Sequence, residues 1–225
     1  MRSQFTWESA AATTVGNVRA RNEDAILELP AVGLWAVADG MGGHSGGDIA
    51  SQMVIAALAS VRDHERASVL LDEVEDRLRE VNDYLYLLSA NGDNGISGTT
   101  VAVLLALQRH VISLWAGDSR VYRSRNGELE QLTSDHSDVQ ASNVITRAVG
   151  GAPQLFLDIR LTELQHRDQY LLCTDGLYKE LSEQELAHHL AWCDVEHACE
   201  SLMQCALGGV CGDNVSAVVV EFEES

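Results

Sequence analysis

Hydrophobic and polar positions follow two different periods along the chain. Alternating or continuous apolar runs rich in β-branched residues predict strands, whereas apolar residues spaced by three and four predict helices. By these patterns we predict strands over residues 5–14, 25–29, 34–38, 99–107, 110–115, 121–124, 129–132, 157–161, 169–173 and 215–222. We predict helices over residues 48–61, 68–88, 182–191 and 195–207.

The clearest helix is the one predicted over residues 68–88. Its apolar positions recur at threes and fours, and acidic and basic residues occupy the other side. The apolar residues are Leu71, Val74, Leu78, Val81, Leu85 and Leu88. In the helix predicted over residues 48–61, the same reasoning places Ile49, Met53, Ala57 and Val61 on one face.

Turn and cap signals connect these elements. Asn126-Gly127 is typical of a two-residue hairpin turn, and a second hairpin is predicted around Gln108-Arg109. Ser182 and Glu185 have the spacing of a capping box. Strands joined by tight turns indicate antiparallel sheets, and helices grouped in pairs indicate separate layers. We therefore expect an α+β fold of two sheets with a helical layer on each outer face, forming a single domain over residues 1–225.

Composition narrows the choice of partners. The formal net charge is −19, from 15 Lys+Arg against 34 Asp+Glu. Most of this charge is interpreted as a solvated acidic surface. It argues against binding to nucleic acid or to anionic membranes, and an anionic substrate would need bound cations. The five cysteines are irregularly spaced, and we see no signal peptide and no membrane-length apolar run. We therefore expect a soluble, cytoplasmic protein, and a monomer.

Aspartates beside glycines stand at the ends of the apolar runs. Asp39, Asp118 and Asp175 follow predicted strands, and Asp213 precedes the last one. A carboxylate at the end of a buried strand is costly unless it is paired or binds a metal. These four, together with Asn22-Glu23-Asp24, indicate a shared oxygen-rich pocket. Oxygen ligands without a His or Cys cluster favour magnesium or manganese over zinc.

The order of these motifs resembles a known family. In chain order the sequence contains Gly16-Asn17-Val18-Arg19, Asn22-Glu23-Asp24, Ala38-Asp39-Gly40-Met41-Gly42-Gly43-His44, Ser97-Gly98-Thr99-Thr100, Ala116-Gly117-Asp118-Ser119-Arg120, Cys173-Thr174-Asp175-Gly176 and Gly212-Asp213-Asn214. Together they are similar to the metal-dependent PPM (PP2C-type) Ser/Thr protein phosphatases, in their bacterial form. Any one motif is a common turn, whereas the ordered set is specific and spans nearly the whole chain.

The resemblance implies an α-β-β-α sandwich with two Mn²⁺ or Mg²⁺ ions at one edge of the sheets. Asp39 would bridge the ions, and the Gly40 carbonyl would bind one of them. The other implied metal residues are Asp175 and Asp213 for the second ion, Glu23 and Asp24 through water, and Asp118 with Asp175 for a third ion. Arg19 would bind the substrate phosphate.

Two metal ions and an arginine are sufficient for hydrolysis of a phosphate monoester. The ions activate a water, and together with Arg19 they balance the charge on the phosphoryl oxygens in the transition state. No serine or cysteine nucleophile is required. The implied reaction is hydrolysis of phosphoserine and phosphothreonine on proteins.

Several of these residues keep an alternative interpretation. The aspartates Asp39, Asp175 and Asp213 could be turn or cap residues. Asp118 could pair with Arg120, and Arg19 could form an ion pair with Glu23, with Arg21 as a competitor for its role. Thr99 and Thr100 are expected to hydrogen-bond within the sheet. Cys173 and Cys211 are expected in the core, with oxidative inactivation as the alternative.

The chain departs from the family pattern in two places. Met41 follows Asp-Gly where many eukaryotic relatives have a histidine, and the nearest histidine is His44. His44 is therefore a candidate general acid or a loop-positioning residue. Only Asp138 to Ser142 separate the segments that flank the family's flap. The flap around residues 135–150 is thus strongly shortened, which should open the cleft and alter substrate choice.

The resemblance also implies partners. These are phosphorylated proteins, a Ser/Thr kinase with its substrates, and by similarity a forkhead-associated protein or type VI secretion control. One rival is a binding module that recognises phosphoproteins without turnover, which the retained metal-type aspartates disfavour. A second rival is a phosphatase for small anti-sigma antagonists, and the retained Arg19 favours the ordinary branch.

Overall fold

The computed structural model describes residues 5–42, 46–64, 66–90, 98–138, 144–191 and 194–225. Within these ranges the chain forms eleven strands and five helices. The strands are β1 (Phe5–Thr14), β2 (Asp24–Leu29), β3 (Leu34–Met41), β4 (Gly98–Thr99), β5 (Val101–Leu107), β6 (His110–Ala116), β7 (Arg120–Arg125), β8 (Glu128–Gln131), β9 (Asp158–Glu163), β10 (Asp168–Cys173) and β11 (Val215–Glu224). The helices are α1 (Gly47–Ala59), α2 (Ala67–Ala90), α3 (Asp175–Tyr178), α4 (Glu183–Ala191) and α5 (Val195–Gly208).

The strands build two antiparallel sheets. One, called here the β11 sheet, has the order β1-β11-β10-β7-β8. The other, the β3 sheet, has the order β2-β3-β5-β6-β9, with β4 paired to β3. Every predicted strand is present, and β4 and the four-residue α3 are the elements that the apolar pattern did not predict, because both are too short to show a period.

Alternating side chains sort into three cores and make the four layers. In β3, Leu34 and Ala36 pack toward α1 and α2, whereas Trp35 and Val37 face the β11 sheet. The helices α4 and α5 cover the outer face of the β11 sheet, where Val219 of β11 packs against them. Because strands are buried on both faces, their apolar runs are nearly continuous. The predicted α-β-β-α architecture is confirmed.

Helix α1 presents a face to the core that differs in part from the predicted one. Ala50, Val54 and Leu58 are fully buried, whereas Ile49 is 53% exposed. Of the predicted face, Ile49 was therefore wrong, whereas Val61 lies in the core and Met53 and Ala57 are half-buried against it. Small residues define the contact face here, because Gly47 and Ser51 let α1 approach β3 closely, and a pattern read from large apolar residues misses them.

The predicted turns and cap have the expected geometry. Asn126 and Gly127 have φ angles of 53° and 81°, the two positive values that a type I′ hairpin turn requires. Ser182 and Glu185 exchange hydrogen bonds as a capping box, with Ser182 N–H donating to Glu185 Oε2 at 2.8 Å. No helix in the described part of the chain is long and apolar enough to cross a membrane.

Candidate active site

The aspartates singled out in the sequence lie at one end of the two sheets. Asp24, the first residue of β2, is the cross-strand neighbour of Asp39 in β3. Asp175 follows β10, and Asp213 precedes β11, which runs antiparallel to β10. Asp118 precedes β7, whose first residue pairs with the last residue of β10. The antiparallel registers thus bring strand ends that are far apart in sequence to a common edge, here called the carboxylate end.

Asp39 is fixed by its backbone. Its N–H donates to Thr100 Oγ1 at 3.1 Å, and its carbonyl accepts from Thr99 Oγ1 at 2.9 Å. Both threonines are fully buried, so their predicted role within the sheet is confirmed. Loss of water contact, and then the charge of Asp24 and the other aspartates, raises the pKa of Asp39 well above its usual range.

Asp24 is buried, with 6% of its surface exposed. Its Oδ2 accepts hydrogen bonds from Thr174 Oγ1 at 2.8 Å and from Ser216 Oγ at 2.6 Å. Burial raises its pKa to about 7, although these two hydrogen bonds oppose the shift. Thr174 and Ser216 were not identified from the sequence. Thr174 had a signal, since it precedes Asp175 in the Thr-Asp-Gly motif, whereas Ser216 had none.

The Gly40 carbonyl and the Glu23 side chain lie beside one another. The Gly40 N–H donates to the Glu23 carbonyl at 3.0 Å. A Cβ at Gly40 would lie 2.0 Å from the Gly47 carbonyl oxygen, so only glycine permits this approach of β3 to α1. A Cβ built on Gly47 would lie 2.7 Å from the Gly40 oxygen and 2.9 Å from Glu23 Oε1. Both oxygens therefore flank the same point at the start of α1.

Asn214 ties the first loop of the site to the last. Its Oδ1 accepts from Glu23 N–H at 2.8 Å, and its Nδ2 donates to the Arg21 carbonyl at 2.9 Å. Its own N–H donates to Asp213 Oδ1 at 2.8 Å. Asn214 is 4% exposed, so this side chain sets the relative placement of Glu23 and Asp213. The Gly-Asp-Asn motif contained Asn214, but its sequence did not reveal this role.

Asp175 has two oxygens in different situations. Oδ2 accepts from the Lys179 ammonium at 2.6 Å. Oδ1 is buried and has no hydrogen-bond partner among the residues that the structure describes. A buried carboxylate oxygen of this kind is costly unless a ligand completes it. Lys179 was not identified from the sequence, since it belongs to none of the motifs.

Asp118 is 5% exposed and lies close enough to Asp175 to be affected by its charge. Burial, and then the charge of Asp175, raises its pKa to about 6, against the opposing effect of Lys179. The alternative pairing of Asp118 with Arg120 is not formed. Arg120 Nη2 instead binds Asp135 Oδ2 at 2.7 Å, and its guanidinium stacks 3.7 Å from the centroid of the Tyr178 ring.

Arg19 stands at the rim with a side chain that is 49% exposed. Its Nη2 donates to Asp213 Oδ2 at 2.7 Å, so its ion-pair partner is Asp213 and not Glu23. The hydrogen bond to Asp213 raises the Arg19 pKa further. The candidate acid His44 lies outside the described residues. Cys173 and Cys211 are fully buried, as expected of core residues, and burial raises the Cys173 pKa.

The donor set fits hard divalent cations. In the ranges that the structure describes, no three Asp, Glu, His or Cys side chains close around a single point. The carboxylates are held instead by Arg19, Lys179 and the two hydroxyls that bind Asp24. The Oδ1 of Asp175, which has no partner among the described residues, and the raised pKa values of Asp39 and Asp118 are features that a bound dication would relieve.

Comparisons with known proteins agree with this geometry. The family model described as Protein phosphatase 2C matches residues 17–208. The Ser/Thr protein phosphatase PstP of Mycobacterium tuberculosis is 34% identical over 94% of this chain. That match spans 44% of PstP, so the chain corresponds to less than half of the length of this relative.

Two solved structures resemble the chain over almost its full length. PppA, described as a key regulatory component of T6SS in Pseudomonas aeruginosa, is 37% identical, with 96% of this chain and 97% of PppA covered and a TM-score of 0.91. The catalytic domain of PstP with two manganese ions is 34% identical, with 97% and 99% covered and a TM-score of 0.88. The chain belongs to the protein phosphatase 2C family of metal-dependent Ser/Thr phosphatases, as its motifs predicted.

Proposed function

We propose that this chain is a Mn²⁺- or Mg²⁺-dependent phosphatase that hydrolyses phosphoserine and phosphothreonine on proteins. The observation that carries the proposal is the carboxylate end, where Asp24 and Asp39 face each other across two strands and Asp175 keeps a buried oxygen without a partner. Family membership supports the reaction class.

The metal residues follow from their placement. We propose that Asp39 would help to hold two ions, one together with the Gly40 carbonyl and the other together with Asp175 and Asp213. Glu23 and Asp24 would act through water, which agrees with the engagement of Asp24 Oδ2 by Thr174 and Ser216. Asp118 with Asp175 would serve a third ion. Bound ions would supply Lewis acidity and an activated water.

Arg19 would hold the phosphate of the substrate. It is the charged nitrogen donor at the rim of the carboxylate end, and its planar fork suits phosphate oxygens. Its present partner, Asp213 Oδ2, is itself a proposed metal residue. Binding of a dication at Asp213 would weaken that ion pair and leave Arg19 able to turn toward the phosphate.

The shortened flap would leave the cleft open. His136 and Asp138 on one side pair with Thr146 and Val144 on the other, through N–H···O bonds of 2.8 and 2.9 Å. The two flanking segments are therefore joined directly as a narrow antiparallel pair, which supports a single domain with a reduced flap. The part of this connection at residues 139–143, and His44 as a candidate acid, lie outside the described residues.

The proposed setting is bacterial signalling in the cytoplasm. The substrates would be phosphorylated proteins and a Ser/Thr kinase that the enzyme opposes. The resemblance to PppA supports a role in type VI secretion control, with a forkhead-associated protein as a further partner. We propose that the protein acts as a monomer, without nucleic acid or membrane partners. The net charge of −19 supports the last point.

Phosphate release from a phosphothreonine peptide tests the proposal. We expect turnover with Mn²⁺, none with EDTA, and loss of turnover in Asp39→Asn. Arg19→Ala should raise KM and lower kcat/KM by about 100-fold, as expected for loss of a charge-assisted phosphate contact. Arg21→Ala is the matched control, and its kcat/KM should change by less than about twofold. Bound Mn²⁺ without turnover would contradict the proposal and favour a phosphoprotein-binding module.

A further inference from the structure

Lys179 is the single lysine of this chain, which otherwise uses arginine for its cationic side chains. It caps α3 four residues after Asp175, so helical geometry alone brings its ammonium to that carboxylate. The Nζ to Oδ2 distance is 2.6 Å. An ammonium is a compact point charge, whereas a guanidinium is a broad planar fork. Lysine is therefore the side chain that most closely imitates a small cation.

The surroundings of Lys179 are those of a cation site. The charges of Asp118 and Asp213 act on its ammonium in addition to Asp175. Asp118, which is 5% exposed, is in turn stabilised as an anion by Lys179. Asp118 and Asp175 are also the two residues proposed above for a third ion. The Lys179 ammonium thus interacts with the same two carboxylates that would bind that ion.

We propose that Lys179 is an internal cation that competes with the third metal ion at Asp118 and Asp175. The inference rests on the proposed function. Asp175 can offer its partnerless Oδ1 to the two-ion centre while Lys179 holds Oδ2. A third ion needs Oδ2 and must first displace the ammonium. The protein is therefore a two-ion enzyme in which the third position is weakened by its own side chain.

Mn²⁺ binding to metal-free protein, measured by equilibrium dialysis, tests the competition without relying on activity. We expect two tight ions and one weak ion in the wild type. Lys179→Gln should bind the third ion about tenfold more tightly, because it removes a unit positive charge beside a dication. Lys179→Arg should keep the third ion weak. Adding Asp118→Asn to Lys179→Gln should reverse the gain.

Arg167→Gln is the matched control for net charge. Arg167 precedes β10 at the opposite end of the strand from Asp175, and its side chain is 72% exposed. The Arg167→Gln substitution removes one positive charge and leaves the carboxylate end unchanged. Its affinity for all three ions should match that of the wild type. An equal gain in Arg167→Gln would overturn the inference, since the effect would then be one of overall charge.

Because the chain has a single lysine, an amine-acetylating reagent followed by mass spectrometry can monitor that side chain in the unaltered protein. The acetylation rate of Lys179 should stay constant once the first two Mn²⁺ ions are bound. It should then rise at the higher Mn²⁺ concentrations that fill the third position, since displacement frees the ammonium. A rate that does not rise would contradict displacement.

The two proposals fail in different ways. Two tight ions with an unaltered third-ion affinity in Lys179→Gln would overturn the inference alone. Absence of the first two ions would overturn the proposed function and the inference together. Thermal melting of each variant identifies misfolding, and the labelling experiment on the wild type decides the question if Lys179→Gln does not fold.

Discussion

Strand β10 begins with one aspartate and ends two residues before another, and the two carboxylates have different partners. Asp168, its first residue, is fully buried, and both its oxygens accept from Arg125 at 2.6 Å. The Gln165 N–H donates to Asp168 as well, at 2.8 Å. Asp175, just past the other end, has Lys179 as the partner of one oxygen, and within the described part of the chain its other oxygen has no hydrogen-bond partner.

The comparison separates a structural carboxylate from a functional one. Both have a buried carboxylate oxygen, because Asp168 is fully buried and Oδ1 of Asp175 is buried as well. At Asp168 the protein supplies every partner, so the group is satisfied without a ligand. At the carboxylate end the described residues leave Oδ1 of Asp175 without a partner, and we propose that a metal ion binds it. The predictions below exploit this difference.

The largest expected effect is on catalysis. Asp175→Asn should lower kcat/KM for a phosphothreonine peptide by at least about 1000-fold, because it removes a charge that holds the reacting centre. Its free energy of unfolding without metal should stay within about 1 kcal/mol of wild type. The substitution removes a carboxylate that lacks a full set of hydrogen-bond partners and therefore contributes little to stability. Peptide assays and urea unfolding in EDTA provide both numbers. A stable Asp175→Asn variant with normal turnover would contradict the functional role given to Asp175.

The second effect is on stability, at the opposite end of the strand. Asp168→Ala should lower the free energy of unfolding by about 3 kcal/mol, because it leaves Arg125 without its carboxylate partner. The kcat/KM of the folded fraction should remain near wild type at low temperature. Urea unfolding and peptide assays at matched folded fraction measure the two quantities. Loss of turnover in the folded fraction would mean that Asp168 also shapes the active site.

The gain in stability on adding metal should differ between Asp175→Asn and Asp168→Ala. At about 100 times its dissociation constant, Mn²⁺ should raise the free energy of unfolding by about 2.7 kcal/mol per site in the wild type. Asp168→Ala should show the same increment from its lower starting point, whereas Asp175→Asn should lose most of it. Differential scanning calorimetry with Mn²⁺ and with EDTA measures these increments. Equal increments in both variants would place the ions elsewhere.

The smallest expected effect is a pH dependence of the metal-free protein. The folded-state pKa values of Asp24 and Asp118 are raised to about 7 and about 6, so the folded state binds protons more tightly than the unfolded state. Stability should therefore rise as pH falls from 8 to 5. Asp24→Asn should flatten this profile. A wild-type stability in EDTA that falls over the same range would show that these acids are not strained.

The sequence predicted the long helices and strands well because their buried residues follow regular spacings or continuous runs along the chain. Strands buried on both faces appear as apolar runs, and Asn126-Gly127 and the Ser182 capping box define local geometry by themselves. It misplaced Ile49 at the start of α1, where the approach of Gly47 to Gly40 decides which side is buried. That approach is a tertiary contact, and no local pattern contains it.

The site was predicted less completely than the fold. The aspartates stand out because each ends an apolar run beside a glycine. The residues that position them, Thr174, Ser216 and Asn214, act across strand registers that join distant segments. Lys179 reaches Asp175 through one helical turn that is too short to be recognised by period. Identifying these residues required the pairing of β10 with β11 and the short helix after it.

The most direct test of the central claim is anomalous diffraction at the manganese edge from crystals of the wild type grown with Mn²⁺. The account predicts two strong peaks at the carboxylate end, both in contact with Asp39, one with the Gly40 carbonyl and the other with Asp175 and Asp213. Manganese peaks elsewhere, or none at this end in protein that hydrolyses phosphothreonine, would contradict it.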